Sequence, residues 1–181
     1  DVSSYLNKAK DQGCDVIFAP VSIAYATQLI SQSASLNIGI PFLGSDTWDD
    51  NMILQAAKGT NVQAFVSTFY AEGGNQTFDD GIKAYINGNA DAKTTNGGDD
   101  TISAVTAMGY DAYYVALEAL KAAGSTDPAK VMEALPGVSY DGVTGHIAFD
   151  ETGDAIRDTA YIKTIDSAAN AWKFVTQQKA S

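Results

Sequence analysis

The residues best suited to chemistry in this 181-residue chain fall in one run, Pro41-Phe42-Leu43-Gly44-Ser45-Asp46-Thr47-Trp48. Phe42 and Leu43 read as the end of a buried strand. Gly44 closes it, and the acid Asp46 follows in a short loop before the next helix. Ligands of open α/β sheets bind at the carboxyl ends of the strands. A carboxylate placed there suits a cationic group such as the ammonium of an amino acid, held by a charge-assisted hydrogen bond. Asp46 is also open to a plainer role as cap of the following helix, although Asp49 and Asp50 are available for that. Thr47 and Trp48 flank the acid, and Trp48 either covers an apolar ligand side chain or packs on the third helix. Ser22 stands in the loop one strand earlier, as a cleft residue or simply as an N-cap.

Other constellations carry less. The single His146 excludes any site that needs two imidazoles. Ser22, His146 and an Asp can be assembled on paper, but no nucleophile-elbow pattern surrounds a serine. Cys14 has no basic neighbour to lower its pKa, so a Cys14–His146 pair is not expected to be reactive. It reads as a small buried apolar residue, and as the only cysteine it can form no intrachain disulfide. Gly97-Gly98 lacks the lysine of a phosphate loop. Asp150, Asp154 and Asp158 suggest calcium only superficially: the ligand spacing is absent, and Asp150-Glu151-Thr152-Gly153-Asp154 reads as a turn. Asn75-Gln76-Thr77 matches a glycosylation acceptor, which matters only in a eukaryotic secretory context. Neither a metal nor a cofactor is expected, and no enzymatic reaction.

Composition sets the class. With 11 basic against 22 acidic residues the net charge is −11, so the basic stripe that nucleic acid requires is missing. The same balance disfavours an anionic membrane surface. No stretch approaches the roughly 20 apolar residues of a membrane span. The chain opens Asp1-Val2-Ser3-Ser4, without an initiator Met or a signal-peptide pattern, and is expected to be a processed product or a piece of a longer protein.

The elements that must position the site follow from periodicity. Residues 3–12 read as a helix stopped by Gly13. Asp15 to Ala19 reads as a strand buried on both faces, and Ser22 opens a helix to about Leu36. Ile40 to Leu43 is the second strand, a third helix ends at Gly59, and Val62 to Phe69 is the third strand. This α-β-α-β-α-β order with short connections predicts an α/β fold, a parallel sheet with helices on both faces. Phe78 to Ile86 marks a helix, and residues 87–100 read as a polar surface loop. The longest helix is expected from a Thr101 or Asp100 cap to Gly124, and another from Asp127-Pro128 to Leu135. Gly145 to Phe149, Thr159 to Ile165 and Ala171 to Val175 read as strands.

Five motifs in order then resemble one family. They are Asp15-Val16-Ile17-Phe18, the Pro41–Trp48 run, Gly109-Tyr110-Asp111-Ala112, Ala119 to Pro128, and Gly142-Val143-Thr144-Gly145 with Phe149-Asp150 and Gly153-Asp154. Together they span nearly the whole chain. The chain resembles the C-terminal half of a type I periplasmic (solute-binding) protein of an ABC importer, in the branched-chain amino-acid-binding family. The resemblance implies two lobes hinged around a cleft, of which this chain holds an incomplete share. Residues 1–69 would belong to the second lobe, 70–140 would supply helices of the other lobe, and 141–181 would return through the hinge region. It implies capture of a small amino acid, branched-chain type, by lobe closure. Asp46 would be the ammonium anchor, with Ser22, Thr47 and Trp48 around it, and the missing N-terminal half would supply donors for the ligand carboxylate. It further implies an ABC permease as partner and a periplasmic or extracellular location, lipid-anchored through the missing N-terminus. An uncovered parallel edge also invites the chain alone to form a homodimer. A sensory ligand-binding domain of the same fold, or a half-domain that only self-associates, are the competing expectations.

Overall fold

The first strands are short, and each is followed by a helix with one apolar stripe, so strand and helix must bury each other. The computed structural model describes residues 1–157 and 159–179. Strands β1 (Ile17–Ala19), β2 (Phe42–Gly44) and β3 (Ala64–Thr68) are parallel neighbours, with Ile17, Phe42 and Ala64 in register. Helix α1 (Ser3–Asp11) precedes β1, α2 (Ile23–Ser35) links β1 to β2, and α3 (Asn51–Ala57) leads to β3. Because β1, β2 and β3 step in one direction, right-handed crossovers put α2 and α3 on the same face. There Ala26, Leu29, Ile30 and Ile53 meet Phe42, Ala64 and Val66 in the main core.

Two long C-terminal strands complete the sheet. β7 (Thr159–Asp166) pairs antiparallel with β3, and β8 (Ala171–Lys179) pairs antiparallel with β7, for the order β1-β2-β3-β7-β8. The sheet is therefore mixed, with three parallel strands. Its second face carries Phe18, Leu43, Phe65 and Ile162, which join no core cluster among the described residues. The expected burial of β1 on both faces is corrected: Phe18 is 67% exposed, because β1 is an edge strand and α1–α3 all pack against the opposite face. Cys14 is likewise exposed, since it lies in the turn leaving α1, its N–H bonded to Ala9 O at 3.1 Å, before β1 begins.

The middle of the chain is helical: α4 (Gln76–Gly88), α5 (Ala90–Thr95), α6 (Ala104–Ala123) and α7 (Pro128–Ala134). The polar stretch 87–100 holds α5 because Asn89 caps it, accepting from the N–H groups of Asp91 and Ala92. Ser103, rather than Thr101 or Asp100, caps α6, and Gly124 ends it in the left-handed conformation at φ +56°. A small antiparallel sheet of β4 (Tyr140–Gly142), β5 (Gly145–Phe149) and β6 (Ala155–Ile156) follows. Tyr70 donates to Asp79 at 2.7 Å where the chain enters this region, and burial together with that carboxylate pushes the Tyr70 phenol up.

Two of the sequence motifs form one joint. Asp111, 1% exposed on α6, accepts from Val143 N and Thr144 N at 2.8 Å each and from Thr144 Oγ1 at 2.6 Å. Gly142 must lack a side chain, because a Cβ would overlap the Asp111 carboxylate. The Asp150 turn is closed internally: Asp150 Oδ1 accepts from Thr152 N, Thr152 Oγ1 and Asp154 N at 2.9, 2.7 and 3.0 Å. Asp158 lies outside the described residues. Replacing Asp111 by Ala leaves three donors of the Val143–Thr144 turn, two of them buried, without their acceptor, and should cost about 3 kcal/mol in urea unfolding. Gly142→Ala should destabilise in the same assay, by displacing the same carboxylate.

Candidate functional site

The site lies where β1 and β2 end. After Gly44 the chain makes a single 3₁₀ turn, Asp46–Trp48, closed by Trp48 N to Ser45 O and Asp49 N to Asp46 O, both at 3.0 Å. Trp48 explains the glycine before it. A Cβ on Gly44 would lie 2.5 Å from the indole ring, so only glycine lets the turn fold back onto the strand. Trp48 is fully buried, with its ring 5.8 Å from that of Phe42. It therefore takes the packing role, and the expectation that it covers a ligand is corrected: the fold-back of the turn puts the indole into the main core.

Asp46 projects from the other side of this turn. It is half-buried, and its carboxylate makes no hydrogen bond or ion pair among the described residues. It is not the cap of α3; that is Asp50, whose Oδ1 accepts from Met52 N at 2.7 Å. Thr47 ties the two strand-end loops together. Its hydroxyl donates to Val21 O at 2.9 Å and lies 3.0 Å from Ser45 Oγ. That bond brings the loop bearing Ser22 against the turn bearing Asp46. Ser22 occupies the N-cap position of α2 with extended backbone, φ −63° and ψ 159°, but its exposed side chain makes no capping bond. The structure thus groups Asp46, Thr47 and Ser22 at one rim and removes Trp48 from it.

Sequence reasoning missed the group that holds this rim in place. Asp49, 2% exposed, follows the turn directly, and its carboxylate receives four hydrogen bonds from three donor groups. Lys163 Nζ on β7 lies 3.0 Å from Oδ1 and 2.9 Å from Oδ2; Thr68 Oγ1 on β3 and Ala104 N at the start of α6 lie 2.9 and 3.0 Å from Oδ2. A buried charge is tolerated only when paired and hydrogen-bonded, and both conditions are met here. The helix N-terminus adds favourable partial charge. Asp49 gave a cap signal in the sequence, but nothing in the alternation around Lys163 marked it as a buried partner 114 residues away.

The histidine does meet a serine and an acid, though not Ser22. His146 Nδ1 lies 2.6 Å from Asp141 Oδ1 and its Nε2 lies 3.4 Å from Ser139 Oγ. Asp141 and His146 are directly opposed on β4 and β5, so this is an exposed cross-strand pair in contact with water.

A family model described as "Periplasmic binding protein" matches residues 1–170. No curated protein matches. Among solved structures, a leucine-binding protein of Thermotoga maritima superposes with a TM-score of 0.79 at 24% identity, covering 99% of this chain and 49% of that one. A solute-binding protein of an ABC transporter from R. palustris, in complex with benzoate, gives 0.74 at 18% identity, over 100% and 48%. A branched-chain amino-acid transporter substrate-binding protein from Streptococcus pneumoniae, in complex with isoleucine, gives 0.69 at 19%, over 99% and 48%. At these identities the likeness is one of fold, and the chain spans about half the length of the solved structures it matches.

Lys163→Met should strand the Asp49 carboxylate in the core and lower unfolding stability by about 3–5 kcal/mol. Asp49→Asn combined with Lys163→Met keeps an acceptor for Thr68 and Ala104, and should recover more than half of that loss in a double-mutant cycle.

Proposed function

The chain belongs to the periplasmic binding protein family, and from that premise we propose that it is part of the extracytoplasmic solute-binding component of an ABC importer, taking a small amino acid of branched-chain type. The observation that carries the reading is Asp46, a half-buried carboxylate without a partner among the described residues, at the carboxyl end of β2. Such an acid favours a ligand with an ammonium group. It disfavours an anion of the benzoate kind, which offers no positive charge and would leave the acid unpaired and repelled. Thr47 and the free Ser22 hydroxyl border the same rim and supply secondary polar contacts.

In this reading residues 1–69 form the ammonium-binding jaw, 70–140 contribute helices to the opposing lobe, and 141–181 return through the hinge. The donors for the ligand carboxylate come from the N-terminal half of the family fold. Binding and lobe closure do the work, and delivery is to a membrane permease, with no bond made or broken. Retention would come from a lipid anchor on the N-terminal half; among the described residues no helix is long and apolar enough to cross a membrane. The bare second face of the sheet and the unpaired edge of β1 support self-association of this chain when it is alone.

Calorimetry on the full-length parent tests the reading. Leucine, isoleucine or valine should bind, and Asp46→Ala should weaken that binding by about 10- to 100-fold, the worth of one charge-assisted hydrogen bond. An unchanged affinity would remove Asp46 from the site. Failure of all three amino acids to bind the parent would end the ligand assignment.

A further inference from the structure

The apolar cores of this chain do not merge. One cluster joins α1–α3 to β1–β3 and, through Ile165 and Trp172, to β7 and β8. The others gather Tyr70, Phe78, Ile102 and Ala107, and Val115, Val138 and Ile147. Among the described residues, the hydrogen bonds that join residues 1–69 to residues 70–157 come from only two side chains, Asp49 and Asn51. Asp49 accepts from Ala104 N at the start of α6. Asn51, the first residue of α3, donates through Nδ2 to Asn96 O and to Asp99 Oδ1, both at 2.9 Å. Gly97 closes the same contact, since a Cβ there would stand 3.3 Å from Asn51 Nδ2.

We infer that Asp49 and Asn51 form a latch that holds the N-terminal α/β unit closed against the start of α6 and the 96–101 loop. The inference rests on the reading of this chain as part of a hinged binding protein, and it adds the residues that set the closed population. The two halves of the latch differ in kind. Asp49 is locked within its own unit by Lys163 and Thr68, so it presents a fixed acceptor to a helix N-terminus that can arrive or leave. Asn51 supplies both protons of one amide to two acceptors on the loop, which demands a single orientation of the two units. Apart from Phe69, which packs on the second cluster and lies beneath the Arg157 guanidinium where the chain crosses between the units, the contacts of the latch are polar. Asp49 lies three positions after Asp46 across one 3₁₀ turn, so the latch acts on the backbone that carries the proposed ammonium anchor.

Asn51→Asp separates this role from a merely structural one. Aspartate in the first turn of a helix is favourable, so α3 itself should hold or gain stability. The new carboxylate cannot donate, and it faces Asn96 O and the Asp99 carboxylate. Spin labels at Gln28→Cys on α2 and Lys130→Cys on α7, in a Cys14→Ser background of the full chain without ligand, read the separation of the two units. Asn51→Asp and Asn51→Ala should each shift the distance distribution outward, with the closed fraction relative to the open falling roughly threefold to tenfold, at an unfolding midpoint no lower than the parent's for Asn51→Asp. Gln55→Ala, one turn along the same helix, should leave the distribution unchanged. An unchanged distribution in both Asn51 variants overturns the latch, as does an equal shift in the Gln55→Ala control. No ligand enters the measurement, so failure of the amino-acid assignment and failure of the latch give different results.

Discussion

The buried contact between Asp49 and Lys163 is the constraint on which the rest depends. A carboxylate and an ammonium, both nearly without solvent, are expensive to place and tolerable only with complete hydrogen bonding. The cost is met by bringing four separate elements to one point: the turn after β2, the end of β3, the middle of β7 and the start of α6. That requirement fixes where the C-terminal strand must lie, and the antiparallel pairing of β7 with β3 follows the same line. It also fixes the turn that aims Asp46 outward. The position of the Asp46 rim is thus set by a charge pair buried beneath it.

The same turn shows how little room the backbone has. Trp48 folds inward onto Gly44 and Phe42 while Asp46 remains at the rim. An apolar side chain and an acid two residues apart on a 3₁₀ turn cannot both face the core, and burial free energy decides which one does. Thr47 then spends its hydroxyl on Val21 O. The rim is firm because a neighbouring loop is tied to it, and Asp46 is left without a partner among the described residues.

Much of the architecture was legible because it rests on local chemistry. The α2 and α7 boundaries and the C-terminal end of α6 agree with their apolar stripes and with Gly124 and Pro128. The joint between Asp111 and the Gly142–Thr144 turn appeared in the sequence as two separate motifs; only folding shows that they are one contact. The misses have physical reasons. Residues 87–100 are polar enough to read as a loop, but Asn89 supplies a cap and a short helix forms. Asp100 and Thr101 are capping types, yet Ser103 is the residue whose position precedes the first helical turn. Phe18 belongs to an apolar run, but its burial depends on what covers the second face of the sheet, whose apolar residues join no core cluster among the described residues; Cys14 is exposed because it lies in the turn leaving α1.

The sequence by itself determined the order of elements, the α/β class, the acidic surface and the location of a lone acid at a strand end. Those depend on side-chain periodicity, composition and turn chemistry, which act over a few residues. Only the tertiary structure decided that the sheet is mixed and covered on one face, that Trp48 is core while Asp46 is rim, and that Asp49 is the buried hub. Pairings across 114 residues, such as Lys163 with Asp49, leave no mark on local spacing. Their energy comes from excluding water around two charges, and that exists only once the distant strands have met.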